Sequence, residues 1–391
     1  MGANDPAEEH PIYLDYNATT PLDPSVSAAM LPYLQGRFGN PSSGHWYGVK
    51  EKEAVELARS HVAGLIGARS SEIVFTSGGS ESCNWAIKAT AERLGQTHRH
   101  IVTSAVEHVV VLECCKFLEA VHGFEVTRVP VDDTGRVDPK AVGAAIRADT
   151  CLVTIMHANN ETGSINDIGA IAQEAHARGV LFHTDASQSI GKIDLDVATT
   201  GVDLLTIAGH KLYAPAGVGA LYIKEGVELP RFMHGAGHEG GRRAGTENTM
   251  HMVALGEACR VCQHDSCEKQ SHLRTMRDML HSLLLEKLPA LRLNGHEQQR
   301  LPNTLNVSLP GDCCTSHALI AATKKRLAFS AGSACHAADV CHVSHVLAAM
   351  GCDQARGERA IRLSVGRFTS AEQVQQAARI IIDGLNTACR P

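Results

Sequence analysis

A lysine at the end of a buried strand can act as a nucleophile, and the sequence offers one at Lys211. The motif Gly209-His210-Lys211 directly follows an apolar run at 203–208 that predicts a strand. Burial lowers the pKa of a lysine and frees its amine for Schiff-base chemistry. A lysine on an exposed loop is the competing interpretation, and this motif alone does not decide between them.

A carboxylate follows a second predicted strand, and its position suggests a partner for that lysine. Asp185 comes directly after the apolar run at 180–184 and stands 26 residues before Lys211. Parallel strands would bring both residues to the same edge of a sheet. A carboxylate there could pair with the pyridinium nitrogen of a pyridoxal cofactor. Capping of the next turn is the alternative role for Asp185.

Residues 76–82 (TSGGSES) follow a third predicted strand and open a helical pattern. Two glycines, several hydroxyls and the free N–H groups of a helix start can bind an anion, and this loop suits a single phosphate. The segment is not a P-loop, because the Gly-Lys-Ser/Thr ending is absent. An ordinary helix cap is the alternative.

One cysteine stands on a loop of small residues, at the end of the segment 330–335 (SAGSAC). Such a loop can move, so Cys335 could be an exposed nucleophile. The alternative is one more buried thiol among the 13 cysteines of the chain. The N-terminal residues 1–10 are acidic and polar and do not resemble a signal peptide, so we expect reduced thiols and a cytosolic protein.

Two groups of cysteine and histidine could suggest a metal. They are Cys259, Cys262, His264 and Cys267, and Cys335, His336, Cys341, His342 and His345. Only the first group contains a C-x-x-C, and no second C-x-x-C accompanies it. Cys259 and Cys262 fall on one face of a predicted helix, so we expect core packing there and predict no metal site.

Composition excludes several classes of function. The formal net charge is −6, no basic tract occurs, and aromatic residues make up only 4% of the 391 residues. These values disfavour binding to nucleic acid or to an anionic membrane surface. No run of 18 apolar residues occurs, so the sequence predicts no membrane-spanning helix.

Short apolar runs alternate with helical patterns between residues 51 and 224. The runs predict strands at 72–76, 100–103, 125–129, 151–156, 180–184, 203–208 and 220–224, and the main helical patterns cover 51–66, 107–122 and 168–178. Alternating strands and helices require crossover connections, which build a mostly parallel sheet covered on both faces. The sequence therefore predicts an α/β fold with a seven-stranded sheet.

The remaining third of the chain has a different pattern. A long helical stretch at 257–288 precedes a strand at 303–308, a helix at 317–323, strands at 327–330 and 361–365, and a final helix from residue 370. This order indicates a smaller α+β domain. We expect a large domain at 15–265 and a small domain formed by 266–391 together with 1–14.

Taken together, these segments resemble the cysteine desulfurase and selenocysteine lyase family, in the class V aminotransferase group of fold-type I pyridoxal-phosphate enzymes. The matching segments are 13–21 (YLDYNATTP), 39–43 (GNPSS), 75–82 (FTSGGSES), 107–108 (EH), 159–163 (NNETG), 183–188 (HTDASQ), 209–211 (GHK), 243–248 (RAGTEN), 330–335 (SAGSAC) and 361–367 (IRLSVGR). They occur in family order over nearly the whole chain, and as a set they are highly specific.

The resemblance implies a cofactor, pyridoxal 5'-phosphate (PLP), and a role for each matching position. Lys211 would hold the cofactor covalently and move the Cα proton, while His108 would stack on its ring and assist proton transfer. Asp185 would face the ring nitrogen and Gln188 the ring oxygen. The other implied cofactor contacts are Gly79, Ser80, Asn160, His210 and, from a second subunit of a homodimer, Thr246.

The resemblance also implies the substrate contacts and the reaction. Asn160 and Arg362 would hold the substrate α-carboxylate. Cys335 would attack the substrate sulfur and become a persulfide, with L-alanine as the second product, and an acceptor protein could then take the sulfur. We expect cysteine desulfurase activity, with selenocysteine lyase activity as the close alternative and plain transamination or β-elimination as a remoter one.

Three departures from the family pattern bear on these expectations. Ala208 stands where the family often has a serine, two residues before the histidine of Ser-x-His-Lys, and one phosphate contact is therefore in doubt. The loop that begins Cys335-His336 is one residue longer than in scaffold-linked desulfurases and is more similar to selenocysteine lyases. The long C-terminal tail of those desulfurases is also absent from the sequence, which favours the lyase alternative.

Overall fold

A computed structural model describes residues 10–264, 266–311, 314–331 and 343–388. The strands of these ranges are β1 Ile12–Tyr13, β2 Ile73–Thr76, β3 His100–Ser104, β4 Glu125–Val129, β5 Thr150–Thr154, β6 Leu181–Asp185, β7 Leu204–Ala208, β8 Gly219–Ile223, β9 Arg292–Leu293, β10 Thr304–Ser308, β11 Leu327–Ala328 and β12 Ala360–Ser364. The α-helices are α1 Pro24–Leu34, α2 Trp46–Leu65, α3 Gly79–Leu94, α4 Val109–His122, α5 Pro139–Ala145, α6 Ile168–His176, α7 Val197–Thr200, α8 Thr249–Gln263, α9 Ser266–Lys287, α10 Ser316–Thr323, α11 His345–Ala349, α12 Gln354–Glu358 and α13 Ala371–Ala388.

Seven strands form the central sheet, in the order β2-β8-β7-β6-β5-β3-β4. All neighbouring pairs are parallel except the two that β8 makes with β2 and β7. Strands β5 and β7 are buried along their whole length, as expected of a sheet covered by helices on both faces. The predicted α/β fold with a mostly parallel seven-stranded sheet is confirmed, and each strand lies within one or two residues of its predicted bounds.

The topology brings six strand ends to one edge of this sheet. Because β8 is antiparallel to both of its neighbours, β2 points in the same direction as β7, β6, β5, β3 and β4. Their carboxyl ends therefore meet, and the segments that follow them carry most of the predicted functional residues. Ligands in open α/β sheets bind at this edge.

The prediction of one long helix at 257–288 is wrong. Helix α8 ends at Gln263, and His264 adopts an extended conformation with ψ of 130° before α9 begins. The amine of Lys269 donates to the backbone carbonyls of Val261 and His264, which satisfies acceptors that a helix end leaves open. No proline or glycine occurs between residues 257 and 288, and for this reason the sequence pattern did not reveal the break.

A second, smaller sheet lies in the C-terminal third of the chain. Strands β12, β10 and β9 are antiparallel, and their apolar side chains form a core with α9, α10 and α13. The N-terminal strand β1 pairs with β11, so Ile12 and Leu14 belong to this core. The proposed division at 15–265 and 266–391 stays a prediction. None of the helices in the described ranges is long and apolar enough to cross a membrane.

Candidate active site

A cavity of about 420 Å³ opens at the shared edge of β2, β3, β5, β6 and β7. Nine residues of the predicted site line it, namely Gly79, Ser80, His108, Asn160, Asp185, Gln188, His210, Lys211 and Arg362. Thr246 is exposed and is not among the residues that line the cavity. Cys335 and His336 lie outside the described residues. The structure therefore brings together residues that are up to 283 positions apart in sequence.

One wall of the cavity is the start of α3, a helix of 16 residues. Its N-cap is Gly78, at φ +150°, and no side chain bonds to the first N–H groups of the helix. A Cβ atom on Gly79 would lie 3.1 Å from Ser187 Oγ and 3.2 Å from Ala208 Cβ, so a side chain there would crowd this wall. Open N–H groups, the helix dipole and the Ser80 hydroxyl suit an anion.

The carboxylate of Asp185 projects from the last residue of β6 and is 7% exposed. It accepts a 2.9 Å hydrogen bond from the backbone N–H of Ser187, which fixes its direction. His183, two residues earlier on the same strand, lies between the hydroxyls of Thr154 and Thr206, at 2.8 and 3.0 Å. Burial lowers the pKa of His183 to about 4, so this imidazole is neutral.

His108 is the N-cap of α4, and its position fixes the tautomer of its ring. Nδ1 accepts a 3.2 Å hydrogen bond from the N–H of Val110, so the neutral ring carries its proton on Nε2. Burial lowers the pKa of His108. The nearby Lys211 and His345 also lower it, whereas Asp185 raises it. His108 is therefore a neutral imidazole at the cavity wall.

His345, at the start of α11, also lines the cavity. Its Nε2 lies 2.9 Å from the backbone carbonyl of Glu107, directly beside His108. In the sequence, His345 stands out only as a candidate metal ligand, and no motif assigns it to this site. Only the docking of α11 onto the end of β3 reveals its place.

Glu107 lies behind the cavity and is fully buried. Its carboxyl group accepts hydrogen bonds from Ser104 Oγ at 2.6 Å and from the N–H of Met156 at 3.0 Å. Burial, opposed by the hydrogen bonds from Ser104 and Met156 and aided by the charge of Asp185, raises the pKa of Glu107 to about 8. Glu107 thus links the ends of β3 and β5, while the adjacent residue His108 lines the cavity.

Lys211 and Gln188 meet at a residue that the sequence analysis did not single out, Asn17. The Lys211 amine donates to the backbone carbonyls of Asn17 and Ala18, and Gln188 Nε2 donates to that of Asn17 at 2.9 Å. The Asn17 side chain in turn donates to Thr304 Oγ1 at 2.9 Å. Its only signal in the sequence was membership of the matching segment 13–21.

Arg362 projects from β12 and is 2% exposed. Its Nη2 lies 2.8 Å from Asp15 Oδ1, and its Nη1 donates to the backbone carbonyl of Asn160 at 2.9 Å. Its Nε atom has no hydrogen-bond partner among the described residues. The guanidinium is thus held in place by groups from two distant segments, with donor capacity remaining for an anion in the cavity.

His210 lies beside Lys211 on the short turn after β7. Its Nδ1 is 3.2 Å from the hydroxyl of Thr19. Burial, aided by the charges of Lys211 and Lys192, lowers the pKa of His210 to about 4. A neutral His210 can still donate one hydrogen bond to an anion at the start of α3.

Two ion pairs anchor the segment that contains Thr246. Arg59 holds Glu239 through two contacts of 2.6 and 2.8 Å, and both side chains are buried. Arg243 holds Glu81 at 2.9 Å, at the first turn of α3. Although burial opposes it, the hydrogen bond from Arg243 lowers the pKa of Glu81, so the pair stays ionised. The segment is therefore fixed to the anion-binding wall.

The cysteine pair of the first candidate metal group is buried in the core. Cys259 and Cys262 both lie inside α8 with exposures of 0% and 4%, so the predicted core packing is confirmed. Within the described ranges, no group of three or more His, Cys, Asp or Glu side chains could hold a metal ion. The nine cysteines in these ranges are all free thiols.

This geometry can be compared with known proteins. The family model described as aminotransferase class-V matches residues 12–377. The chain belongs to this family. The family prediction made from the motifs is thereby confirmed.

Members of the class-V aminotransferase family include curated relatives of this chain that are named cysteine desulfurase IscS. The protein from Stutzerimonas stutzeri (strain A1501) is 45% identical over 380 residues, which cover 96% of this chain and 93% of the relative. The protein from Edwardsiella ictaluri (strain 93-146) is 44% identical over 376 residues, which cover 95% and 92%. The similarity therefore spans both sheets and every segment that lines the cavity.

Solved structures with the same fold support the same family. A NifS-like protein has a TM-score of 0.89 and 33% identity, covering 96% of this chain and all of that chain. A structure described as SspA in complex with cysteine has a TM-score of 0.79 and 36% identity, covering 92% of this chain and 99% of that chain. The predicted fold class is confirmed at the level of the whole chain.

Proposed function

We propose that this protein is a PLP-dependent cysteine desulfurase that converts L-cysteine to L-alanine and transfers the sulfur to Cys335. The observation that carries the proposal is the meeting of Lys211, Asp185 and the open start of α3 in one cavity. Desulfurase relatives at 43–45% identity over 95% or more of the chain support the same activity. The predicted enzyme class, a cysteine desulfurase, has the same support.

The residues of the cavity fit PLP. The glycine-lined start of α3, with Ser80 and the neutral His210, provides donors for a phosphate. Asp185 provides a fixed negative charge, which suits a protonated ring nitrogen, and Gln188 provides an amide N–H. Lys211 provides the amine for covalent attachment. A volume of about 420 Å³ is also in the usual range for small-molecule sites.

When bound, PLP supplies an electron sink that stabilises a negative charge on the substrate Cα. Lys211 then takes and returns the Cα proton, because its amine is the basic group at the cavity floor. The Nε2–H of His108 faces the cavity as a donor, since Nδ1 is held by the N–H of Val110. The walls of Met156, Ala158 and Val218 limit access of water.

The substrate carboxylate is proposed to bind Arg362. Asp15 and the carbonyl of Asn160 hold two nitrogens of the guanidinium at 2.8 and 2.9 Å, which orients its remaining donors. The Asn160 side chain lines the same part of the cavity and can add an amide hydrogen bond. This arrangement favours an α-amino acid, because the amine and the carboxylate on one carbon would be recognised by two different groups of the same cavity, the Lys211 side and Arg362.

Cys335 is proposed as the acceptor of the sulfur on the basis of its motif, since it lies outside the described residues. Its thiolate attacks the sulfur of L-cysteine, and the carbon–sulfur bond breaks while a sulfur–sulfur bond forms. The electron pair stays on the substrate carbon, which takes a proton to give L-alanine, and the enzyme keeps a persulfide. L-Cysteine plus one thiol thus equals L-alanine plus one persulfide, with no external oxidant.

A homodimer is proposed because Thr246, which the resemblance assigns to the cofactor of a second subunit, does not line the cavity of its own protomer. Thr246 is exposed, yet its segment is fixed to the anion-binding wall by Arg59 and Arg243. A cluster of exposed apolar side chains on α1, α2 and their connection could contact the second copy; it consists of Leu31, Leu34, Phe38, Trp46, Tyr47 and Val49. An active species that sediments as a monomer would contradict the homodimer.

We further propose a cytoplasmic location, because the reaction needs a reduced thiol, and delivery of the sulfur to an acceptor protein. Selenocysteine lyase activity is the second candidate, favoured by the motif Cys335-His336 and the loop length. The two activities are separated by kcat/KM for L-cysteine and L-selenocysteine under reducing conditions. A preference for selenocysteine, with cysteine acting only as an inhibitor, would overturn the desulfurase assignment.

The decisive experiment examines cofactor and thiol separately. The purified protein, reconstituted with PLP, should show a visible absorption band, and borohydride should fix a pyridoxyl group on Lys211. Cys335→Ala should keep the band and lose sulfide release from L-cysteine, whereas the exposed Cys267→Ala should keep both. A colourless reconstituted protein would overturn the PLP assignment, and full activity of Cys335→Ala would reassign it to a structural thiol.

A further inference from the structure

A second lysine, Lys192, lies directly behind the cavity and has no role in the function described so far. Its side chain is 6% exposed, and it stands four residues after Gln188 in the sequence. Lys192 and Lys211 both line a very small cavity on the inner side of the site. A buried lysine needs a specific reason, because desolvation of its charge is costly.

The contacts of Lys192 are made with amide oxygens. Its Nζ donates to Gln188 Oε1 at 2.9 Å and to Asn17 Oδ1 at 3.4 Å. Burial lowers its pKa well below the usual value; the Lys211 and Arg362 charges lower it further, and the Cys262 thiol opposes them. No carboxylate is among the described groups that act on it, so an ion pair does not explain its position.

The contacts of Lys192 and Asn17 fix the Gln188 amide in one orientation. The Asn17 backbone carbonyl only accepts hydrogen bonds, so it requires the Nε2 end of Gln188, at 2.9 Å. The Lys192 amine donates to the opposite end, Oε1. If the Gln188 amide were turned by 180°, its Oε1 would face the carbonyl oxygen of Asn17. Its N–H groups would then face the hydrogens of the Lys192 amine. Both contacts therefore favour the same orientation.

This orientation matters because the second N–H of Gln188 Nε2 is the group that can face the cavity. We propose that Lys192 is a positioning residue that holds Gln188 with its N–H donor directed at the ring oxygen of the bound cofactor. The inference rests on the proposed function. Lys192 does not touch the cofactor in this proposal and acts only through Gln188 and the Asn17 segment.

The test uses the holoenzyme and the pH dependence of its visible band. A hydrogen bond to the ring oxygen stabilises it as an anion, so loss of that bond should raise the pH midpoint of the band. Lys192→Met should raise the midpoint by about half to one unit and weaken cofactor affinity by about five-fold. Gln188→Leu should give a similar shift, because it removes the donor itself.

A double variant separates positioning from simple packing. If Lys192 acts through Gln188, Lys192→Met should add little to the shift when Gln188→Leu is already present. The matched control is Lys269→Met, because Lys269 lines the same small cavity but bonds only to backbone carbonyls. The control should leave the midpoint at its wild-type value.

The outcomes are distinguishable from failure of the proposed function. A colourless wild-type protein would overturn the proposed function itself. A coloured wild type, with Lys192→Met changing only the thermal midpoint of unfolding, would overturn the positioning role alone, as would additive shifts in the double variant. If Lys192→Met does not fold, Lys192→Gln replaces it. Its shorter side chain should give the same upward shift in the pH midpoint of the band, and an unchanged pH midpoint would again overturn the inference.

Discussion

The two sides of the cavity are constructed in different ways. On one side, Asp185, Lys211 and the start of α3 follow strands of a single sheet, and the parallel pairing of these strands places them together. On the other side, Arg362 comes from the smaller sheet and is held by Asp15 and by the carbonyl of Asn160. The first side depends on local connections, and the second on contacts between segments about 200 to 350 residues apart.

This difference predicts different consequences of mutation. Residues of the sheet edge keep their place when one contact is lost, because the strand itself positions them, so substitutions there should act on chemistry. Residues of the second side depend on individual ion pairs, so substitutions there should change substrate binding or stability.

Lys211→Met should reduce turnover of L-cysteine by about 10³-fold or more, because it removes both the covalent anchor and the proton-transfer group. Circular dichroism should show an unchanged fold, since the strand and turn around residue 211 do not depend on the amine. Alanine production under reducing conditions is the measurement. The control is Lys224→Met, which should be fully active. The half-exposed Lys224 side chain pairs with Asp203, away from the cavity residues. Residual activity above a few per cent would refute the role of Lys211.

Glu239→Gln should lower the free energy of unfolding by about 3 kcal/mol, because it leaves Arg59 buried beside a neutral group. Chemical denaturation is the measurement. Glu56→Gln is a closely matched control, since Glu56 pairs with the same arginine at 3.3 Å but is 53% exposed, and it should cost no more than about 0.5 kcal/mol. Equal effects of the two variants would contradict the anchoring role of Glu239.

Arg362→Lys should reduce kcat/KM for L-cysteine by about 50-fold, mainly through KM. A lysine is a point charge and cannot hold Asp15, the Asn160 carbonyl and a substrate carboxylate at once. Steady-state kinetics measures the change, and the exposed Arg326→Lys should behave as wild type. A fall in kcat with unchanged KM would show that Arg362 does not bind the substrate carboxylate.

Glu107→Gln should change how stability depends on pH. Burial raises the pKa of Glu107 to about 8, so the folded state binds this proton more tightly than the unfolded state does. Stability of the wild type therefore contains a component that is present at pH 5 and is lost as pH rises to 8. Glu107→Gln has no carboxyl group to titrate at this position, so it should not lose this stability, which is on the order of 2 kcal/mol.

The measurement for Glu107→Gln is the thermal midpoint of unfolding between pH 5 and pH 8. The midpoint of the variant should rise relative to that of the wild type as pH increases. Glu92→Gln, at an exposed position on α3, should run parallel to the wild type at every pH. A constant difference between Glu107→Gln and wild type would refute the raised pKa.

Ala208→Ser should produce the smallest effect, a gain in PLP affinity of about three-fold. Ala208 lines the cavity, and its Cβ lies 3.2 Å from where a Cβ on Gly79 would be, so a hydroxyl there could reach an anion at the start of α3. Equilibrium dialysis of the apoprotein measures this. Ser80→Ala should change the affinity in the opposite direction. An unchanged affinity for Ala208→Ser would mean that position 208 does not face the phosphate.

The sheet side of the site can be predicted from the amino-acid sequence alone. Apolar runs of about five residues, mostly separated by helical patterns, predict a mostly parallel sheet with crossovers, and ligand groups are then expected beyond the carboxyl ends of its strands. Lys211, Asp185 and the residues 76–82 could be placed there because each follows its strand directly. The motif set also determined the family, since its order along the chain was sufficient without coordinates.

The contacts on the other side of the site become visible only in the folded chain. Several contacts join segments that are far apart in sequence, and no local pattern encodes them. They are the hydrogen bonds to Asn17, the Asp15–Arg362 pair, and the positions of His345 and Lys192. The break between α8 and α9 was also missed, because no proline or glycine marks it in the sequence. Protonation followed the same rule, since the shifted pKa values of Glu107 and His183 come from burial, which is a property of the folded chain.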